Sequence, residues 1–298
     1  MIFFGLRGVR CSYFLGFSFE GLISMGFSLF SFFMDLHLKP RKIGRVNVVG
    51  LSTLIKREVS RFAGIYIQTI LAPVVTTLLF YAVFALAFGG AAREIDGVPF
   101  LKFLAPGLIM MTMVQNAFAN SSSSMVISKI QGSIVDVLMP PLSHVELMTG
   151  FLVGAVVRGV SVGLATSLVM SVFVPMSIHS LGLILLFGFL GSLMLGALGL
   201  AGGIWSEKFD HISAVTNFIV TPLTFLSGTF YSMENLPEMW QGIARYNPFF
   251  YMIDGFRYGF IGRGDSDVIL GIGVLGVVNV GLIGLILWML RIGYKIKS

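Results

Sequence analysis

Long apolar runs dominate the chain, and the few charged positions that interrupt them divide it into segments. Residues 62–92 and 103–120 carry no charge, residues 146–174 carry only Glu146 and Arg158, and residues 178–204, 212–231 and 268–290 are again uncharged. A helix crosses a bilayer with about 20 apolar residues. These runs therefore predict six spans, with a bend in the first at Pro73. Residues 93–99 read as a short loop between the first two spans, and residues 175–180 as a tight turn between the third and fourth. Six crossings return the chain to its starting side.

Three stretches break this pattern by being amphipathic. In residues 51–62, Leu51, Leu54, Ile55, Val59 and Phe62 fall at helical spacing, and Lys56, Arg57, Ser60 and Arg61 take the other face. This predicts a helix lying in the membrane interface, used either as an anchor or as a docking surface. Residues 121–141, SSSSMVISKIQGSIVDVLMPP, predict a short stiff helix over residues 127–139 that Pro140 and Pro141 stop. On it Lys129, Gln131 and Asp136 stand beside Ile130, Ile134, Val135 and Leu138, which suits a partner surface or a bed of headgroups. Residues 226–264 form a cap between the last two spans. Pro237 is placed to begin a short helix ending near Asn247, because Pro248 disfavours helical geometry at the residue before it. Residues 249–261 are apolar and aromatic but too short to cross, and so read as re-entrant or interfacial.

Composition agrees with the pattern. Of 298 residues 56% are hydrophobic and 11% charged, with a mean hydropathy of +0.90. Soluble domains carry roughly 25% charged residues, so the composition is that of a polytopic membrane protein. The formal charge of +6 is gathered beside the spans. Residues 39–61 hold Lys39, Arg41, Lys42, Arg45, Lys56, Arg57 and Arg61 against the lone acid Glu58. Such a flank belongs on the cytoplasmic side. Arg291, Lys295 and Lys297 agree at the other end, so both termini are expected in the cytoplasm, the cap outside and the protein in the inner membrane. No basic domain could hold a nucleic acid. A single cysteine, Cys11, allows no internal disulfide, and His37, His144, His179 and His211 have no metal-ligand spacing. Residues 1–34 have three readings: sequence upstream of a start at Met34, an extra membrane segment, or a cleaved leader.

Within the spans Arg158 is a costly charge unless it faces protein or water. It either snorkels, pairing with a helix-end carbonyl or with Glu146, or lines a path that attracts an anionic headgroup or sugar phosphate. Gly150 with Gly154, Gly159 with Gly163 and Gly199 with Gly203 are spaced for close helix packing. Asp254 and Arg257 are placed for a local helix pair. Aromatic residues gather around the cap, Phe225 and Tyr231 among them.

An integral-membrane enzyme, such as a lipid-modifying transferase, would need convergent acid, base or metal groups, and His144, Glu146 and His211 form no such set. A transporter driven by an ion gradient would favour acids inside the spans, and none lies well inside them. The chain instead resembles the membrane subunits of type-2 ABC exporters over residues 51–297. FLAPGL at 103–108, QGSIVDVLMPPLSHVELMTG at 131–150, and the stretch with Leu236-Pro237, Trp240 and Asn247-Pro248 carry the resemblance, in family order. It implies an all-α integral membrane fold: residues 35–61 a cytoplasmic basic segment with the interfacial helix, and residues 62–298 a six-span domain with a coupling helix and an external cap. It further implies two permease copies, as a homodimer, and two copies of a separate ATPase. This chain contains no G-x-x-x-x-G-K-[ST] phosphate loop, so ATP and magnesium would sit on the partner and this chain would bind no cofactor and hold no catalytic residue. By the same resemblance Lys129, Gln131, Gly132, Asp136, Pro140 and Pro141 couple to the ATPase and Lys56, Arg57 and Arg61 brace that contact. Pro237, Trp240, Asn247, Pro248 and Arg257 form an external gate. Arg158, Phe225 and Tyr231 line the path of an amphipathic drug, lipid or polysaccharide.

Overall fold

The computed structural model describes residues 44, 46–87, 94–95, 97–233 and 237–295. The chain divides after Arg45, and the unit from Val46 onward holds the helical bundle. The expectations for residues 1–34 and for the basic residues at 39–45 fall outside the described residues.

Helix α1 spans Val48–Ala63, begun by Asn47, whose side chain accepts from the Gly50 amide at 2.9 Å. After a turn at Gly64, the chain enters Ile67–Leu71 as a π-helical turn and continues as α2, Ala72–Ala87. The π-helical turn lies just ahead of Pro73, where the ladder widens because proline offers no N–H and crowds the preceding turn. A two-residue hairpin, β1 Glu94–Ile95 with β2 Val98–Pro99, leads into α3, Phe100–Ile130. Then come α4, Ile134–Leu138, α5, His144–Phe173, and α6, Leu181–Trp205. Next are α7, Phe209–Val215, a π-helical turn at Thr216–Val220, and α8, Thr221–Phe225. Helices α9, Glu238–Arg245, α10, Pro248–Ile261, and α11, Val268–Ile292, complete the unit.

Four of these segments are long and apolar enough to cross a membrane: Ile67–Ala87, α5, α6 and α11. The other two expected spans differ in instructive ways. Span two does not end at Asn120, because α3 runs unbroken through the four serines to Ile130, about 46 Å at 1.5 Å per residue. The serines stay helical by turning their hydroxyls inward: Ser122 Oγ donates to the Phe118 carbonyl at 2.8 Å and Ser121 Oγ to the Gly196 carbonyl of α6 at 2.6 Å. A run that reads as a polar exit is thus buried packing surface. The fifth expected span is one continuous helical run from Phe209 to Phe225 with a π-helical turn in its middle, and it stops at Phe225, not Tyr231.

Helix α3 is the centre of the bundle. It packs most extensively on α6 and α5, and α10 closes over α6 and α3. The glycine spacings explain how: a Cβ at Gly199 would lie 2.5 Å from the Phe118 carbonyl oxygen, and one at Gly203 2.8 Å from Met125 Cβ. Gly159 and Gly163 meet Met113 of α3, whereas Gly150 and Gly154 admit Leu54 and Glu58 of α1. Although too short to span, α10 is buried along most of its length, with Phe249, Phe250, Phe256 and Phe260 in the core.

Candidate coupling site

One end of the bundle is built where α1, the α3–α4 corner and the start of α5 meet. Helix α1 turns Leu54, Glu58 and Phe62 inward at spacing four. Glu58 is 0% exposed. Its Oε1 accepts from Ser124 Oγ of α3 at 2.8 Å and its Oε2 lies 3.3 Å from Arg61 Nη2. Arg61 Nη2 also donates to the Asn120 carbonyl at 2.8 Å and to Asn120 Oδ1 at 3.0 Å, and Arg57 reaches Ser128 Oγ at 3.4 Å. Gly154 of α5 leaves the room in which Glu58 sits. Of the three basic residues expected on this helix, Lys56 and Arg57 are exposed and Arg61 is half-buried, with Arg57 and Arg61 reaching α3.

A second tie joins the helix starts. Ser143 caps α5 in a capping box with Glu146, and Glu146 Oε1 also accepts from the backbone amide of Asn47. Glu146 therefore fastens α1 to α5, and the pairing with Arg158 that its sequence position allows is not made. Asn47 Nδ2 reaches the Pro141 carbonyl at 3.3 Å, drawing the double proline into the same corner.

The expected helix over 127–139 is two elements. Residues up to Ile130 belong to α3, and Gln131–Ser133 form a break in which Gly132 adopts φ +71°. Only glycine takes that backbone without strain, so the corner is set at Gly132 and α4 is a single turn and a half. Val137 pins α4 against Leu54, Leu147 and Phe151. Gln131, Asp136, Pro140 and Pro141 are left exposed with Val135, Leu138 and Met139. A groove of about 270 Å³ separates α4 from α1, with Arg57 and Asp136 on its walls. Lys129 does not share this surface: its Nζ donates to the carbonyls of Ile204 at 2.7 Å and Ser206 at 2.6 Å, capping the end of α6. Beside it Lys295 pairs with Glu207 at 2.8 Å, a contact that holds the carboxylate below its usual range and raises the amine.

The residues expected in the external gate separate into surface and core. Pro237 is the N-cap of α9, one position before the expected first turn, and Trp240 is half exposed beside Met239, Ile243 and Tyr246. Asn247 is buried, its Nδ2 donating to the Leu223 carbonyl at 3.2 Å and to Ser227 Oγ at 3.0 Å, and Pro248 follows it as the first residue of α10. Arg257 is 2% exposed, lies 3.8 Å above the Phe103 ring and donates to the Gly228 carbonyl at 2.5 Å. Gly107 stands against Thr229 and Arg257, so the FLAPGL stretch and the cap stretch, far apart in sequence, meet here. Asp254 accepts from the amides of Asp265 and Ser266, each at 2.9 Å, and stands beside Arg257 without a direct hydrogen bond to it.

The three expected path residues are not brought together. Arg158 Nη2 donates to Asn116 Oδ1 of α3 at 3.1 Å. Phe225 stacks on Phe230, which stacks in turn on Phe84 of α2 with centroids 4.6 Å apart. Tyr231 is half-buried with no partner for its hydroxyl among the described residues. Sequence reasoning did not assign Glu58 a role; the available signal was that it alone breaks a basic face while sharing the spacing of Leu54 and Phe62.

A largely helical bundle with four helices long and apolar enough to cross a bilayer has the build of an integral membrane protein. The ABC-2 type transporter family profile matches residues 49–261, and the chain belongs to that family. It is 38% identical over 242 residues to the inner membrane transport permease YadH of Escherichia coli, covering 81% of this chain and 94% of that one. More distant relatives are nodulation protein J of Sinorhizobium fredii, 27% identical over 207 residues covering 67% and 77% of the two chains, and the daunorubicin resistance ABC transporter permease protein DrrB1 of Streptomyces coeruleorubidus, 24% identical over 216 residues covering 68% and 72%.

Proposed function

We propose that the chain is the permease subunit of an ATP-driven exporter in the inner membrane, energised by a separate ATPase that carries the ATP and magnesium. On this reading the chain crosses six times, by Ile67–Ala87, α3, α5, α6, the segment from α7 through α8, and α11, and both termini are cytoplasmic. The corner at α4 then faces the cytoplasm and α9–α10 the outside, α10 re-entering as a half-helix. Two permease copies and two ATPase copies complete the assembly, and the cargo is amphipathic, as a drug, lipid or glycan conjugate would be.

The observation that carries this reading is the exposed face of α4. Val135, Leu138 and Met139 are exposed around Asp136, on a turn fixed by Gly132 and pinned through Val137. Apolar side chains held outward on a rigid element are a docking surface for a protein partner. Force applied there reaches α3 directly through Gly132 and α1 through the Glu58 and Glu146 ties. Gly132→Pro, whose fixed φ near −65° cannot replace +71°, and Asp136→Lys are expected to leave membrane insertion intact. Both are expected to cut ATP-driven uptake into inverted vesicles at least tenfold per ATP hydrolysed. Wild-type transport by both variants would remove the coupling role.

A further inference from the structure

Where α1, α3 and α5 meet, the polar groups do not balance. Glu58 and Arg61 come from α1, Asn116 and Asn120 from α3, and Arg158 from α5. Arg61 lies close to the end of α1 at Ala63 and the first crossing begins at Ile67, so the junction sits where the chain enters the bilayer. Asn116 and Arg158 reach it from the other two helices, each about 21 Å from the helix ends at Ile130 and His144 by a rise of 1.5 Å per residue. The two guanidinium groups stand close enough to repel each other. One carboxylate thus answers two cations, and it is committed to Arg61 and Ser124. Arg158 has as its partner the uncharged Asn116.

The unpaired groups of these residues are all of one kind. Arg61 Nε, Arg158 Nε and Asn120 Nδ2 are buried donors with no acceptor among the described residues. Asn120 is 0% exposed, and its amide faces Gly154 of α5, where an added Cβ would stand 3.4 Å from Nδ2. Gly154 and Arg158 are four residues apart, one turn along the same face of α5. Water can satisfy such donors. It cannot cancel the surplus charge, and a buried charge without a counter-charge is costly. An anion does both.

We propose that this junction holds a phosphate oxyanion as a resident part of the fold, presented by the phosphodiester of a membrane phospholipid or as free inorganic phosphate. Guanidinium groups are apt partners for phosphate oxygens, and the two Nε donors with the Asn120 amide offer three hydrogen bonds. The level at which the chain enters the bilayer is also the level of the lipid headgroups. The anion is held and not carried. It fastens α1 to α3 and α5, and so sets how firmly α1 is seated. The inference stands apart from the export reading, because it needs only these three helices packed as they are.

The test uses the full chain in detergent, stripped of lipid, and reads its unfolding midpoint against added dioctanoyl-phosphatidylglycerol, dioctanoylglycerol or sodium phosphate. At least one phosphate-bearing probe is expected to raise the wild-type midpoint saturably, and dioctanoylglycerol to leave it unchanged. A response to phosphatidylglycerol alone assigns the anion to lipid, and an equal response to sodium phosphate assigns it to solution. Arg158→Gln removes the surplus charge and one donor, and is expected to weaken the apparent affinity at least tenfold, about the value of one charge-assisted hydrogen bond. Should that variant fail to assemble, Asn120→Asp supplies the negative charge from within, and its midpoint is expected to ignore both phosphate probes. The proposal would be overturned if phosphatidylglycerol and dioctanoylglycerol acted alike while sodium phosphate did nothing. A wild-type response from Arg158→Gln or from Asn120→Asp would overturn it too.

Discussion

Glu58→Ala is expected to loosen α1 from the bundle and lower its unfolding midpoint in detergent by about 5 to 10 °C, from a loss of about 2–4 kcal/mol. The substitution removes a fully buried carboxylate and leaves Ser124 Oγ and one edge of Arg61 without their partner. Arg61 keeps its two contacts with Asn120, which sets the loss below that of a completely orphaned buried charge. Glu58→Gln retains an acceptor for Ser124 and forfeits the ion pair, so about half the effect is expected. Heating followed by size-exclusion chromatography measures both, and trypsin cleavage at Arg57 or Arg61 reports the helix directly. A Glu58→Ala protein that melts and resists trypsin like the wild type would show that the network adds nothing to the attachment of α1.

The second large effect lies at the closest approach of α3 and α6. A methyl group at position 199 would stand 2.5 Å from both the Phe118 carbonyl oxygen and Ser121 Oγ. The first is backbone and cannot rotate aside, so Gly199→Ala must push the two helices apart along their most extensive contact. Overpacking of this kind costs about 3 kcal/mol, and separation also strains the Ser121–Gly196 hydrogen bond. The control is Gly276→Ala in α11, where the added methyl meets nothing within 4 Å. There the better helix propensity of alanine is expected to stabilise by about 0.5–1 kcal/mol. Yield of monodisperse protein and midpoint should fall for Gly199→Ala and hold or rise for Gly276→Ala. Equal behaviour of the two would mean that the glycine stripes do not set the packing.

Much of this architecture is legible in the sequence, because a bilayer imposes simple demands on it. Long apolar runs mark the four helical segments able to cross, Ile67–Ala87, α5, α6 and α11, Pro237 and Pro248 bracket α9, and the spacing of Leu51, Leu54, Ile55, Val59 and Phe62 marks α1. What escapes is set by partners distant in the chain. Ser121–Ser124 look like an exit from the membrane until α6 and Glu58 supply acceptors for their hydroxyls. Arg257 and Asp254 are spaced as a pair and lie close enough to attract, yet their hydrogen bonds go to loops, at Gly228 and at residues 265–266. The helix expected across 127–139 fails because Gly132 costs little to reverse, and the reversal lets Val137 reach the core. Local pattern decides which segments are helical, whereas their ends and polar pairings answer to tertiary geometry.

On the proposed reading, an ATPase on another chain drives this permease through α4. The most direct measurement is affinity purification of the full chain from its native membrane, with and without Asp136→Lys, followed by identification of partners and assay of ATP hydrolysis. The expected result is an ABC ATPase recovered in equal copies with the wild type, and its recovery or its coupling to transport lost with the variant. A wild-type chain that purifies without an ATPase and moves its cargo on an ion gradient alone would contradict it.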